Sequence, residues 1–311
     1  MGRFIRRRLA ALVLVMAVAV LVTFAAIRAL PGDPVSVMLS DHSADVAMAA
    51  RLRAEYGLDR SLPVQFAAYL GDIARLRFGL SFRFVHMPVS LVLRDSLLVS
   101  PVLALAALLV ALALGVLGGV AAAIHRNRGA DTAIILVLVA GLSIPNFAVA
   151  TFLVYVLSVK ASLLPVAGWG TLRQAVLPVL VLAIPSAAYI ARLSRTFMLE
   201  VLQQDFVRTA RAKGLAERLV IWRHALINIL VPLVTSAGII LGGLLSNTVV
   251  VETIFNIPGL GRLAIESIFA RDYPVAMAVV LLFVLFYGVI NLLADVVCAL
   301  VDPRIAAGSP A

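Results

Sequence analysis

Few residues in this chain have the types and spacing that catalysis needs. The four histidines, His42, His86, His125 and His224, are scattered. They show neither an HExxH pattern nor the paired spacing that brings two imidazoles onto one metal ion, so no metal site is expected. There is no GxxxxGK[ST] run, hence no phosphate-cradling loop of that kind. No nucleophile stands in a recognisable arrangement with a base. The one cysteine, Cys298, cannot form an internal disulfide, and its apolar surroundings suit a small packing residue. Polar chemistry is concentrated instead in one stretch, 192–224, which carries Glu200, Asp205, Arg208 and Arg211 among apolar residues. Charges at that density serve pairing with a partner or with solvent.

The elements that hold this stretch are set by composition. Of 311 residues, 63% are hydrophobic and 14% are charged, against about 25% charged in an ordinary soluble domain. A soluble chain this apolar could not cover its surface, so its solvent is largely lipid. The net charge of +10 would favour nucleic acid in a soluble protein. Here the basic residues are almost all Arg, many of them beside apolar runs and outside any RNA-binding motif, and no nucleic-acid partner is expected.

A helix needs about 20 apolar residues to cross a bilayer. Six uncharged runs qualify or nearly do: Leu9–Ile27, Leu97–Ile124, Thr132–Val159, Gln174–Ala191, Ala225–Val251 and Val275–Ala294. The last is expected to continue to about Val301. The first run follows MGRFIRRR and resembles a signal peptide, but it exceeds the length of a signal's apolar region and is read as a retained span. The fold class expected is all-α, a polytopic membrane protein with six transmembrane helices. Pro101, Pro145, Pro178, Pro185 and Pro232 interrupt helical hydrogen bonding within the runs. Gly115 with Gly119, and Gly238 with Gly242, have the four-residue spacing that lets helix backbones approach closely.

Orientation follows from Arg and Lys in the short loops. Arg3, Arg6, Arg7 and Arg8 precede the first run, Arg126 and Arg128 separate the second and third, and Arg304 follows the last. Arg192, Arg195, Arg208, Arg211, Lys213, Arg218 and Arg223 separate the fourth and fifth. All fall on one side, expected to be the cytoplasm, with both termini there. The division expected is a cytoplasmic N-terminus and first span over 1–29, an extracytoplasmic segment over 30–96, a core of five spans over 97–301 containing the cytoplasmic loop 192–224, and a cytoplasmic tail over 302–311. Asn146, Asn247 and Asn291 lie within apolar runs and suit interhelical hydrogen bonds or the wall of a pathway. Asp295 must face protein or water, and pairing at the cytoplasmic end near Asp302 and Arg304 is expected.

The stretch 192–224 is too long for a simple turn. Thr196–Lys213 holds no Gly or Pro and predicts a helix, with Val201, Leu202, Phe206 and Ala210 on a shared apolar face. Gly214 ends it through positive φ. Leu215–Arg223 predicts a short second helix with Leu215, Leu219 and Trp222 on one side. Periodicity alone leaves two readings open, a hairpin resting on lipid headgroups or a docking element for a cytoplasmic partner.

The run EVLQQDFVRTARAKGLAERLVIWRHALINILVP (Glu200–Pro232) resembles the cytoplasmic signature of ATP-binding-cassette (ABC) importer permeases. Its DFVRTARAKGL followed by WRHAL is similar to the dipeptide, oligopeptide and nickel subgroup. LPGDP (Leu30–Pro34), LRAEYGLDRSLPVQF (Leu52–Phe66), VVVETIFNIPGLGRL (Val249–Leu263), RDYP (Arg271–Pro274) and VDPRI (Val301–Ile305) extend the likeness over almost the whole chain. Where the wider importer signature begins with Glu-Ala-Ala, this chain has Arg208, Thr209 and Ala210, as the peptide subgroup does.

The resemblance implies a type I ABC importer permease fold, with the loop as coupling helices seated in a groove of an ATPase subunit. Glu200, Asp205, Arg208 and Arg211 would supply polar pairing, Phe206 and Leu219 apolar contact, Ala210 and Leu215 the rest of the motif, and Gly214 the bend. The implied partners are a second, related permease, two ATPases carrying ATP and Mg, an extracytoplasmic substrate-binding protein docking on 28–96 and 252–272, and the bilayer. No cofactor is expected in this chain itself. The implied cargo is di- or oligopeptides, with nickel complexes, glutathione and other peptide-like solutes left open. The alternative, an ion-coupled secondary transporter, needs an ionisable midplane site and inverted repeats, and the spans contain neither.

Overall fold

Each apolar run of the sequence becomes helix, though not always one helix. The computed structural model describes residues 2–29, 35, 46–55, 57–84 and 87–301. The motif Leu30–Pro34, Tyr56, His42, His86, the side chain of Cys298, and the 302–311 tail with Asp302 and Arg304 lie outside the described residues. Among the described residues there is no strand, only an isolated antiparallel bridge between Leu80 and Pro88. The all-α class is observed.

The helices in chain order are α1 Gly2–Ala29, α2 Val46–Glu55, α3 Leu62–Ala74, α4 Val89–Arg94, α5 Val99–Ile124, α6 Gly129–Ser143 and α7 Asn146–Leu153. A π-helical segment, Val154–Lys160, follows. Then come α8 Leu172–Val201, α9 Asp205–Ala212 and the single turn α10 Glu217–Leu219. A second π segment, Val220–Ala225, leads into α11 Leu226–Ile254, α12 Leu260–Phe269 and α13 Tyr273–Val301.

Five helical stretches among the described residues are long and apolar enough to cross a membrane: Phe4–Ala26, Val89–Ile124, Leu172–Val201, Glu217–Ile254 and Tyr273–Val297. The expected count of six transmembrane helices is therefore not confirmed. The run Thr132–Val159 is divided between α6 and the shorter apolar stretch Asn146–Lys160. Pro145 causes the break. A proline disfavours helical geometry in the residue before it, and Ile144 is extended, at φ −90° and ψ 125°. Pro178, Pro185 and Pro232, by contrast, sit inside continuous helices. The start of α8 is fixed by a capping box: Gln174 N–H donates to the Thr171 hydroxyl, and Thr171 N–H donates to the Gln174 carbonyl oxygen.

The chain divides into two compact units, one of Met1–Leu9, Pro101–Ile257 and Tyr287–Ala311, the other of Ala10–Ser100 and Pro258–Phe286. The glycine pairs of the sequence organise the first. A Cβ on Gly115 would lie 2.7 Å from Ile190 Cβ, and one on Gly119 would meet the Ala191 carbonyl and lie 2.6 Å from Ser194 Cβ. The α5 backbone therefore lies directly on α8. Gly238 and Gly242 of α11 likewise leave room for Ala294 and Tyr287 of α13. Such approach replaces hydrophobic burial as the source of helix association in lipid.

The second unit has its own core of Val89, Leu93, Leu260, Val275, Ala278 and Val279. The buried Asp272 carboxylate organises its loop. It accepts hydrogen bonds from Ser81 Oγ, from Phe82 N–H at 3.0 Å and from Arg83 N–H at 3.3 Å. The Ser100 hydroxyl accepts from the first backbone N–H of α12 at 2.9 Å.

Candidate functional site

The loop 192–224 forms a compact hairpin, folded differently from the expected pair of helices. The apolar run of α8 ends near Ala191, but the helix continues to Val201. The chain then turns at Leu202–Gln204 before α9 begins at Asp205. Thr196–Lys213 is thus not one helix. The turn separates α9 from the end of α8, and Phe206, although only four residues from Ala210, stays 42% exposed and does not join it in the apolar inside. Val207 takes that place and is fully buried, with Ala210 and Val220, against Val201, Leu202 and Leu215.

Leu215–Arg223 is not one helix either. Ala216 is extended, with ψ 136°, and only Glu217 onward is helical. Leu215 therefore packs inward, while Leu219 and Trp222 turn outward at 40% and 42% exposure. Phe206 is also 42% exposed.

Gly214 joins the two arms at φ +78°. Its N–H donates to the Arg211 carbonyl at 2.9 Å and the Leu215 N–H to the Ala210 carbonyl at 3.4 Å. These are the two bonds of a Schellman cap, and the Leu215–Ala210 contact is its usual hydrophobic companion. The helix ending expected from Gly214 is observed in this form.

The arms are also tied by charge. Arg211 donates to both Glu217 oxygens, at 3.1 and 2.6 Å. Asp205 and Arg208 are 3.6 Å apart, with side chains 95% and 73% exposed, so their contact adds little to stability. Glu200 is exposed at the end of α8. The hairpin thus has an apolar inside that holds its shape, and an outside bearing Phe206, Leu219, Trp222 and charged residues.

A second ion pair braces the root of the hairpin. Asp131, in the first turn of α6 ahead of the apolar run, accepts from Arg195 Nε and Nη2 at 2.9 and 2.8 Å, and from Asn127 N–H at 3.1 Å. Arg195 holds the Asp131 pKa below the ordinary range. Sequence reasoning counts Arg195 only as a loop charge and misses Asp131. The signal that finds it is an acid abutting an apolar run, which needs a partner.

Asp295 pairs with Arg8, at 2.9 Å to each carboxylate oxygen. Pairing of Asp295 is as expected, while its partner comes from the start of the chain. The three asparagines are not brought together in one described cluster. Asn146 opens α7 at the Pro145 break, Asn247 is exposed on α11, and Asn291 Nδ2 donates to the Tyr287 carbonyl at 3.0 Å.

Apolar helices of membrane-spanning length, with a folded hairpin between two of them, define a polytopic membrane protein. The chain belongs to the family described as "Binding-protein-dependent transport system inner membrane component", whose model matches residues 115–307; the companion N-terminal model matches residues 1–89. It is similar to the "Probable peptide ABC transporter permease protein y4tP" of Sinorhizobium fredii, 37% identical over 98% of this chain and 99% of that one. The "Dipeptide transport system permease protein DppB" of Lactococcus lactis is 36% identical over the same shares. The "Glutathione transport system permease protein GsiC" of Salmonella choleraesuis is 37% identical, again over 98% and 99%. A chain of the MetNI methionine ABC transporter, in an inward-facing conformation, aligns with TM-score 0.58 over 68% of this chain and 97% of its own. At 19% identity that likeness shows the fold alone. The chain is an ABC importer permease of the peptide family, a multi-pass membrane subunit of a kind whose ATPase activity lies in separate polypeptides.

Proposed function

We propose that this chain forms half of a translocation pathway for di- or oligopeptides and is driven through the 192–224 hairpin by separate ATPases. The observation that supports this most is the exposure of Phe206, Leu219 and Trp222 on a hairpin already satisfied internally by Val207, Ala210 and Val220. Three large apolar groups on an exposed, charged hairpin gain by entering a partner's groove. Glu200, Asp205, Arg208 and Arg211 rim that surface, and Gly214, Ala210 and Leu215 keep its shape. Nucleotide and Mg would reside in the ATPases, with no cofactor in this chain.

The second permease closes the pathway, with Asn146, Asn247 and Asn291 as candidate wall residues. A substrate-binding protein docks on the opposite face, at parts of 28–96 and 252–272. Both termini and the hairpin face the cytoplasm, as the Arg distribution requires. ATP binding draws the two ATPases together, the hairpins follow, and the rigid α8 and α11 arms carry the movement into the bundle.

Reconstitution tests this reading. Proteoliposomes holding this chain, its second permease, the two ATPases and the binding protein should accumulate labelled dipeptides only with ATP. Uptake that survives inactivating the Walker motifs of the ATPases would overturn it.

A further inference from the structure

We propose that α3, Leu62–Ala74, lies in the membrane–water boundary, with its outward face against lipid. The helix is inside out for a helix in water. Pro63, Ala67, Leu70 and Ala74 repeat at the i, i+4, i+7, i+11 spacing of one face, and all four are exposed. Val64 and Gly71 flank that stripe. Leu70 is 41% and Val64 48% exposed, and a Cβ added at Gly71 would meet nothing within 4 Å. The face carries no charge and no hydrogen-bonding side chain.

The polar groups of α3 lie on its other side. Gln65 Nε2 donates to the Arg60 carbonyl at 2.7 Å, and Asp72 lines the same cavity as Gln65 and Tyr69. A helix exposed to water shows the reverse distribution.

Depth names the occupant. The Phe24 ring of α1 meets Phe66 and Tyr69 of α3, with centroids 5.2 and 6.0 Å away. Phe24 lies three residues inside the end of the apolar run Leu9–Ile27, which is about 5 Å along a helix axis. This is the depth at which amphipathic helices settle at the headgroup boundary. Leu14, Val18, Leu21 and Val22 of α1, all more than half exposed, provide a lipid-facing surface on the same span.

The end of α3 supplies an independent sign. Leu76 N–H donates to the Ile73 carbonyl and Arg77 N–H to the Asp72 carbonyl, the same Schellman pair as at Gly214. Here the left-handed position, φ +56°, holds a leucine that is 77% exposed. In water that residue gains neither backbone ease nor burial. Against acyl chains it gains burial, while the exposed Arg75 and Arg77 beside it reach anionic headgroups.

The inference needs only that α1 spans the bilayer, and is independent of which solute is carried. Its test uses the assembled transporter, otherwise cysteine-free through Cys298→Ser and matching partner changes, in nanodiscs of phosphatidylcholine and phosphatidylglycerol. Ala67→Cys and Leu70→Cys variants are spin-labelled, and relaxation by oxygen is compared with relaxation by a water-soluble nickel chelate. Oxygen should dominate at both positions, and the chelate should dominate at an Arg75→Cys control. Chelate access at positions 67 and 70 would overturn the proposal in favour of water. Exclusion of both reagents there would overturn it in favour of a covering protein.

Discussion

The Arg195 guanidinium takes both oxygens of Asp131, at 2.9 and 2.8 Å, and so joins the first turn of α6 to α8 at the root of the 192–224 hairpin. The Asp131 side chain is only 6% exposed, so this is a positioned contact and not a solvated surface pair. Arg195 lowers the Asp131 pKa. The pair's stabilisation is therefore present above the unfolded carboxylate value of about 3.9 and is lost as pH falls through the depressed folded value. Thermal unfolding of the purified complex should show no loss from this pair between pH 5 and 8. Asp131→Asn should lower the unfolding temperature across that window, and the gap to wild type should narrow below about pH 4.

Gly214 tests coupling separately from folding. No side chain crowds it, so Gly214→Ala pays only for left-handed backbone, about 1–2 kcal/mol. Gly214→Pro also loses the N–H bonded to Arg211 and cannot reach φ +78°. Alanine should retain most uptake. Proline should leave membrane insertion intact and reduce ATP-driven uptake at least tenfold. Normal substrate-stimulated ATPase activity in the proline variant would count against a coupling role.

Neighbouring residues Phe206 and Val207 should separate docking from shape. Val207→Ala empties a fully buried position and should cost about 2 kcal/mol, read as earlier proteolysis of the loop. Phe206→Ser removes an exposed ring and should change stability by less than about 0.5 kcal/mol. It should nevertheless weaken co-purification with the ATPases about tenfold or more. If Phe206→Ser leaves that association unchanged, the exposed ring is not part of the docking surface.

Close approach of α5 and α8 predicts a third asymmetry. Gly119→Leu places a side chain into the Ala191 carbonyl and Ser194, and overpacking of this kind costs about 1–3 kcal/mol. Gly243→Ala, where nothing lies within 4 Å, should be close to neutral. Yield of folded protein after detergent extraction measures both.

Much of this architecture is legible in the amino-acid sequence. Uncharged runs of span length mark the membrane helices, because one charge at a bilayer centre costs about 2.5–3.5 kcal/mol and selection leaves such runs clean. Gly115, Gly119, Gly238 and Gly242 announce close packing through their spacing, and their partners lie on α8 and α13. Gly214 announces a helix end, because only glycine takes left-handed backbone without strain.

Helical phase is not legible in the same way. Periodicity carries one helix through Thr196–Lys213, since nothing in Leu202–Gln204 forbids helix. The turn there is decided by tertiary contact: Val201 and Leu202 pack against Val207, Ala210 and Val220 across it. Pro145 is visible as a break, yet whether a proline divides a helix, as at 145, or is carried within one, as at 178 and 185, depends on the helices around it.

By itself, then, the sequence determined solvent, element type and family, because each is written in local composition and in motifs read along the chain. Tertiary structure alone decided which carboxylate meets which guanidinium, as Asp131 with Arg195 and Asp295 with Arg8, and which apolar side chains of the hairpin remain outside. Those outcomes depend on distances between segments far apart in the chain, and side-chain periodicity carries no information about such distances.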